Sequence, residues 1–320
     1  MTALLLLVLA WVIGAPGAVW LRDAPFAARS PRLGIVAWKV HGAAVVLSLV
    51  LAGMTIAVPA LVAVYAKAEL DGLMGACLAM LPAHYVAPGG LLVALGGAAW
   101  SLWWVGWLVV CLWRESCRVS SERRRQRDAV DAATVRMLEP DLVLIDDVRP
   151  AVFCLAGPRP CVVVSGAALA VLSGPQLEQV VLHERAHLAS RHHRTVLVAH
   201  VVARALGGRW GSGVALDRVR ELVEMEADDA GAAGARRDLV AAVLSLGATP
   251  AAGAAVPRLA ATGGGVVERV QRLVVPSAPL GGRERAGVWG GAVGVLSLPL
   301  GAAAVPALVA VFLHWCVLVR

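Results

Sequence analysis

Residues 89–125 read GGLLVALGGAAWSLWWVGWLVVCLWRESCRVSSERRR. Gly89–Trp113 carries no charged residue. A helix needs roughly 20 apolar residues to cross a bilayer core of about 30 Å, so this segment is long enough to span. It ends in Arg114, and Arg118, Arg123, Arg124, Arg125 and Arg127 follow closely. Basic residues collect at the cytoplasmic ends of spans, so one stretch predicts both a crossing and its direction. Trp100, Trp103, Trp104, Trp107 and Trp113 fall within it, the last at a position suited to an interfacial aromatic belt.

Three further segments pass the same test: Thr2–Leu21, Val40–Ala66 with Pro59, and Gly287–Leu318 with Pro299 and Pro306. The first has neither a basic start nor a small-residue cleavage site leading into a polar stretch, so it reads as an uncleaved span. Arg22, Arg29, Arg32 and Lys39 lie between spans one and two, but only Lys67 between spans two and three. Arg269, Arg272, Arg283 and Arg285 precede span four. The expected layout is span 1 over 1–22, a cytoplasmic loop over 23–39, span 2 over 40–66, an external loop over 67–88 and span 3 over 89–113. A cytoplasmic domain follows over 114–286, then span 4 and the C-terminus over 287–320. Both termini are expected outside the plasma membrane.

Composition agrees. Of 320 residues 59% are hydrophobic and 16% charged, with a mean hydropathy of +0.73, which excludes an ordinary soluble globule. The net charge of +7 is no nucleic-acid signal, because the basic residues, 27 Arg and 2 Lys, cluster beside the apolar segments. Six scattered cysteines without a C-x-x-C predict neither a disulfide framework nor a cysteine zinc site. The expected fold is mainly α: a four-span helical membrane protein with a soluble α+β domain between spans 3 and 4.

Within that domain Ser120–Ala133 reads as a helical or extended linker. Leu142–Ile145, Val152–Leu155 and Cys161–Val164 read as three short strands, with Val162–Val164 a candidate edge strand on which a peptide could add. Ala167–Leu172 predicts a helical turn. Ser173 is a helix N-cap, with Gly174–Pro175 opening a helix to about Arg191. Thr195–Leu206 is too short to span and predicts a buried core helix. Another helix is expected from Ala215 to about Ala230, a mobile loop over 249–265, and an amphipathic segment over Val266–Val275.

One motif carries chemistry: His183-Glu184-Arg185-Ala186-His187, the pattern H-E-x-x-H. Residues four apart share a helix face, so both imidazoles can grip one ion, with Glu184 beside its open position as general base. With 8 His and 11 Glu in the chain, chance supplies about 0.007 such matches. Zinc is the natural ion for such a set, and a catalytic zinc takes a third protein ligand. Downstream runs Glu221-Leu-Val-Glu224-Met-Glu226-Ala-Asp228-Asp229. Glu224 and Asp228 share a face, so one can bind metal while the other supports a ligand. On spacing alone Glu221 and Glu226 remain candidates.

His183–His187 followed by Glu224-Met225-Glu226-Ala227-Asp228 resembles the H-E-x-x-H … E-x-x-A-D signature of gluzincin membrane proteases. These include HtpX, the CAAX prenyl protease and the BlaR/MecR antirepressor metallopeptidases. Val162–Ser165, Leu182–Leu188, Arg191–His193 and Arg269-Val-Gln-Arg-Leu273 are similar to the BlaR/MecR branch, as is the four-span layout. The resemblance implies a gluzincin zinc-protease domain with His183, His187 and Glu224 as Zn2+ ligands, Glu184 as catalytic base and Asp228 orienting a ligand. It implies a protein or peptide substrate such as a transcriptional repressor, with the lipid bilayer as surroundings and no nucleic acid. BlaR/MecR receptors continue into an external penicillin-binding domain, whereas this sequence ends at Arg320, so β-lactam sensing is not expected. A quality-control protease and a non-catalytic signalling scaffold are the alternatives. Some gluzincins stabilise the oxyanion with a tyrosine, but Tyr65 and Tyr85 fall around the external loop. His192, His193, Arg194, Arg236 and Arg237 are the candidate donors instead.

Overall fold

The computed structural model describes residues 1–69, 90–232, 235–247, 263–275 and 278–318. Most of the expected loops 67–88 and 249–265 lies outside these residues. The chain is mainly helical, with four helices long and apolar enough to cross a membrane and one small mixed sheet.

Helix α1 (Thr2–Arg22) leads through the single turn α2 (Phe26–Arg29) into α3 (Pro31–Glu69). α3 starts nine residues ahead of the apolar segment read at Val40, because Pro31 supplies a preset helical φ at its first turn. Next comes α4 (Gly90–Ala133), whose 44 residues rise about 66 Å, twice the hydrocarbon thickness. Its charged second half, expected in part as a linker, is continuous helix. The last helix, α11 (Gly282–Leu318), begins before the apolar run read at Gly287.

α3 is the centre of the apolar bundle and packs against α1, α4 and α11. It comes close to α4 at Gly53, where an added Cβ would run into the Gly97 carbonyl oxygen. Small residues let apolar helices approach this closely, and side-chain donors then reach across. Trp100 Nε1 donates to Leu49 O and Ser101 Oγ to Val50 O, each at 2.8 Å. The outer faces stay apolar: Leu4, Val8, Trp11, Leu102, Trp103 and Leu298 are all exposed, as a bilayer solvent allows.

β1 (Thr134–Glu139), β2 (Leu142–Ile145), β3 (Val152–Leu155) and β4 (Cys161–Ser165) form one sheet in the order β1-β2-β4-β3. β4 is parallel to β2 and antiparallel to β3. The expectation that Val162–Val164 is an edge strand is therefore corrected. All five residues of β4 are buried, as a continuous apolar strand at the centre of a sheet should be. The edges are β1 and β3. β1 was not expected, since its residues are almost all exposed and show no alternation.

Helices α5 (Gly166–Val171), α6 (Gly174–Ala189), α7 (His192–Ala205), α8 (Ser212–Gly231), α9 (Arg236–Gly247) and α10 (Gly263–Val274) complete the domain. The Ser173 N–H donates to Gln176 Oε1 at 2.9 Å, as in a capping box at the start of α6. α9 has no counterpart in the sequence reading; Leu239 and Ala242 bury its inner face. The domain sits directly on the bundle. Ala18, Leu21, Ala27, Ile35 and Trp38 of the first three helices share one core with Ala215, Val219, Leu222, Val223 and Met225 of α8. The turn before α8 is equally close to α1: a Cβ on Gly211, at φ +68°, would meet Gly14 O at 2.3 Å. α7 lies along α4, with Trp107 Nε1 donating to Ala205 O at 3.1 Å.

Candidate metal centre

α6 and α8 lie side by side, and their approach is set by a missing side chain. A Cβ on Gly231 would be 3.1 Å from both Gln179 O and His183 Cβ. That closeness brings one turn of α8 to the H-E-x-x-H turn of α6. His183 and His187 present Nε2 atoms 3.1 Å apart. Glu224 closes the third side, with Oε2 3.7 Å from His183 Nε2 and Oε1 3.5 Å from His187 Nε2.

These three residues form a group that could hold a metal ion. Atoms held at about 2.0–2.1 Å around a tetrahedral ion lie roughly 3.3 Å apart, so the spacing fits. Electrostatics favours a cation as well, because facing nitrogen lone pairs repel unless a proton or metal ion lies between them. The sides of the triad are buried to similar degrees: His183, His187 and Glu224 side chains are 8%, 12% and 21% exposed. Of the acidic candidates left open by spacing, Glu221 pairs with Arg218 and Glu226 faces His192; only Glu224 joins the histidines.

The outer atoms are held too. His183 Nδ1 lies 3.1 Å from Asp228 Oδ1, and Asp228 is 1% exposed. Arg269 of α10 grips Asp228 with Nε to Oδ2 at 2.8 Å and Nη2 to Oδ1 at 2.7 Å. Its Nη1 also lies 3.0 Å from Glu224 Oε2. Burial opposes charge on these carboxyls, but the arginine and histidines outweigh it and lower the proton affinity of both Asp228 and Glu224. Burial alone would likewise lower His183, yet the Asp228 and Glu224 carboxylates raise it to about 10. His187, dominated by burial, falls to about 4.

Glu184 follows His183 on α6, which packs against β3, the strand that carries Cys154. Burial raises the proton affinity of this carboxyl above the ordinary range, and pushes the Cys154 thiol up as well. Arg185 points away and ties α6 to the β1–β2 turn, donating to Asp141 at 2.7 and 2.8 Å and contacting Glu139.

The structure thus brings together all five sequence-predicted residues, His183, Glu184, His187, Glu224 and Asp228. It also adds Arg269, which the sequence marked as a basic residue ahead of span four and as part of a resemblance, but not as a site residue. The amphipathic spacing of Arg269 and Arg272 was the available signal. Of the candidate oxyanion donors, His192 is engaged behind His187, its Nδ1 2.8 Å from His187 Nδ1. Among the described residues no hydrogen bond or ion pair joins His193, Arg194, Arg236 or Arg237 to the triad. Compared with known proteins, the chain matches no family model, no curated protein and no solved structure.

Proposed function

We propose that this chain is an integral-membrane zinc metalloendopeptidase of the gluzincin kind, related to the BlaR/MecR branch. It cuts a protein substrate at the cytoplasmic membrane face in regulatory proteolysis. The observation that carries this reading is the two Nε2 atoms of the H-E-x-x-H helix, 3.1 Å apart and closed by Glu224, with Glu184 next in sequence. Zinc held by His183, His187 and Glu224 would supply Lewis acidity, acidifying water and polarising a peptide carbonyl.

The chain's own residues do the rest. Glu184 accepts a proton from the attacking water and returns it to the departing amine, a role its raised proton affinity suits. Asp228 keeps His183 oriented, and Arg269 neutralises the buried carboxylates around it. β3, an edge strand packed against the helix that carries Glu184, gives an extended peptide a sheet edge to lie along. Placement at the membrane face is supported by α8, which carries Glu224 and packs onto the ends of α1 and α3. The basic residues after Trp113 support the cytoplasmic side.

Two measurements test this reading. Purified protein in mild detergent should carry about one zinc per chain, lost on His183→Ala, His187→Ala or Glu224→Ala. Cys117, exposed on α4, should react with an impermeant thiol reagent only after lysis; labelling in intact cells puts the site on the other side. A scaffold reading gains if zinc binds and no fragment in the cell depends on Glu184.

A further inference from the structure

His192 is five residues beyond His187, a spacing at which residues of one helix would not face each other. It does so because the chain reverses between α6 and α7. Arg191 adopts a left-handed backbone at φ +50°, which non-glycine residues rarely take. Held strain of this kind clusters where a side chain has a task. The reversal sets His192, 3% exposed, with Nδ1 2.8 Å from His187 Nδ1. Its other nitrogen, Nε2, lies 3.2 Å from Glu226 Oε2. The remaining oxygen of Glu226 is taken by Arg32 Nε at 2.7 Å and Ser190 Oγ at 3.3 Å.

We infer that Glu226 and His192 form a relay that fixes the tautomer of His187 and thereby its affinity for the metal ion. The inference rests on the metal-site reading above. The hydrogens are assigned from Glu226 inward: His192 Nε2 lies at ion-pair distance from the carboxylate, outside hydrogen-bond alignment, and the Nδ1–Nδ1 contact to His187 is the hydrogen bond. A carboxylate only accepts, so Nε2 of His192 carries the hydrogen facing Glu226. A neutral His192 then has its lone pair on Nδ1, and the bond to His187 takes its hydrogen from His187 Nδ1. His187 is left with a lone pair on Nε2, the atom that faces His183 and Glu224. Ligand histidines usually donate directly to a carboxylate or carbonyl, and this fixes the ring and raises its basicity. Here an imidazole stands between. His192 and Glu226 are positioning residues that act through His187. Arg32 and Ser190 occupy the oxygen that would otherwise compete for His192. Because Arg32 lies in the first turn of α3, the relay ends on a membrane helix.

The test is metal affinity of the full chain in detergent, measured for Zn2+ by competition with a chromophoric chelator, alongside the visible spectrum of the Co2+ form. His192→Leu removes the acceptor and should weaken Zn2+ by about 10–100-fold with a changed Co2+ spectrum. His192→Asn places an amide oxygen near the former Nδ1 and should restore most of the affinity and the spectrum. Glu226→Ala should weaken binding less than His192→Leu, because it frees the tautomer without removing the acceptor. A purely structural role predicts that Leu and Asn lower thermal stability alike, with affinity unchanged. Wild-type affinity in a folded His192→Leu protein overturns the relay alone. Absence of Zn2+ binding in the wild type overturns the metal site beneath it.

Discussion

Arg269 holds Asp228 through two parallel hydrogen bonds of 2.7 and 2.8 Å, although 41 residues separate them in sequence. Fork-to-carboxylate pairing is the strongest geometry available to these groups, and here the carboxylate is almost fully buried. Removing the arginine alone leaves buried charge on Asp228 and Glu224. Arg269→Ala should therefore cost about 3–5 kcal/mol, the usual penalty for breaking a buried pair from one side. Arg269→Met with Asp228→Leu replaces both by apolar groups and should cost less than Arg269→Ala. Denaturation in detergent of wild type, Arg269→Met, Asp228→Leu and the double variant, with Arg269→Ala beside them, checks this, and additive losses would show that the pair is not coupled.

A second prediction concerns Gly231, at the end of α8. Alanine ordinarily gains about 1 kcal/mol over glycine in a helix. The added Cβ would meet Gln179 O and His183 Cβ at 3.1 Å, so a few tenths of an ångström of movement should offset that gain. Gly231→Ala should be near neutral in stability. Gly231→Val must push α8 from His183, widen the triad and weaken metal binding by on the order of tenfold. Unchanged affinity in Gly231→Val would mean that the helix spacing does not set the site.

Protons should accompany the metal. Without an ion His183 keeps its second proton up to about pH 10, whereas His187, at about 4, is already neutral. A divalent ion must displace the proton on His183 Nε2, so near neutral pH binding should release about one proton per ion. Affinity should accordingly rise with pH up to about 10 and fall as the solution is acidified. Calorimetry in buffers of different ionisation enthalpy measures the release directly. A value near zero would place the proton elsewhere.

The bundle makes its own prediction. A Cβ on Gly53 would lie 2.4 Å from the Gly97 carbonyl and from Ser101 Oγ, and α4 backbone cannot yield as a side chain can. Overpacking costs about 1–3 kcal/mol, and Gly53→Val should fall at the upper end of that range. Gly96, one position before Gly97, has nothing within 4 Å of its would-be Cβ. Gly96→Val is therefore the control that thermal denaturation in detergent should leave near wild type.

The sequence was most legible where one physical requirement dominates. An uncharged run long enough to cross a bilayer announces itself, and four of them reappear as helices. His183 and His187 were legible because both lie on one helix turn. Glu224 was narrower: spacing could not separate it from Glu221 and Glu226, and only the packing of α8 on α6 does so. β1 escaped because an exposed edge strand has no burial pattern to read. β4 was misplaced to an edge because order along the chain does not reveal that β3 crosses to its far side. Arg269 could not be placed from local pattern, since its partners lie on another helix.

The last prediction separates an enzyme from a scaffold. Glu184→Gln keeps the shape and hydrogen-bonding reach of the side chain but cannot accept a proton. General base catalysis contributes about 10²–10⁴-fold, so cleavage should fall by at least the lower figure. Metal content should hold, because the triad is His183, His187 and Glu224 and does not include Glu184. Folding should survive as well, and stability could rise slightly. Burial already raises the proton affinity of this carboxyl, so holding it charged opposes folding, and a neutral amide removes that cost. A metal-loaded, folded and inactive protein is therefore expected, one that retains substrates the wild type destroys. A proteome-wide search for fragments present with wild type and missing with the Gln variant is the decisive comparison. If the Gln variant binds zinc and reproduces every wild-type fragment and phenotype, Glu184 is no catalytic base and the protein's role is not proteolysis.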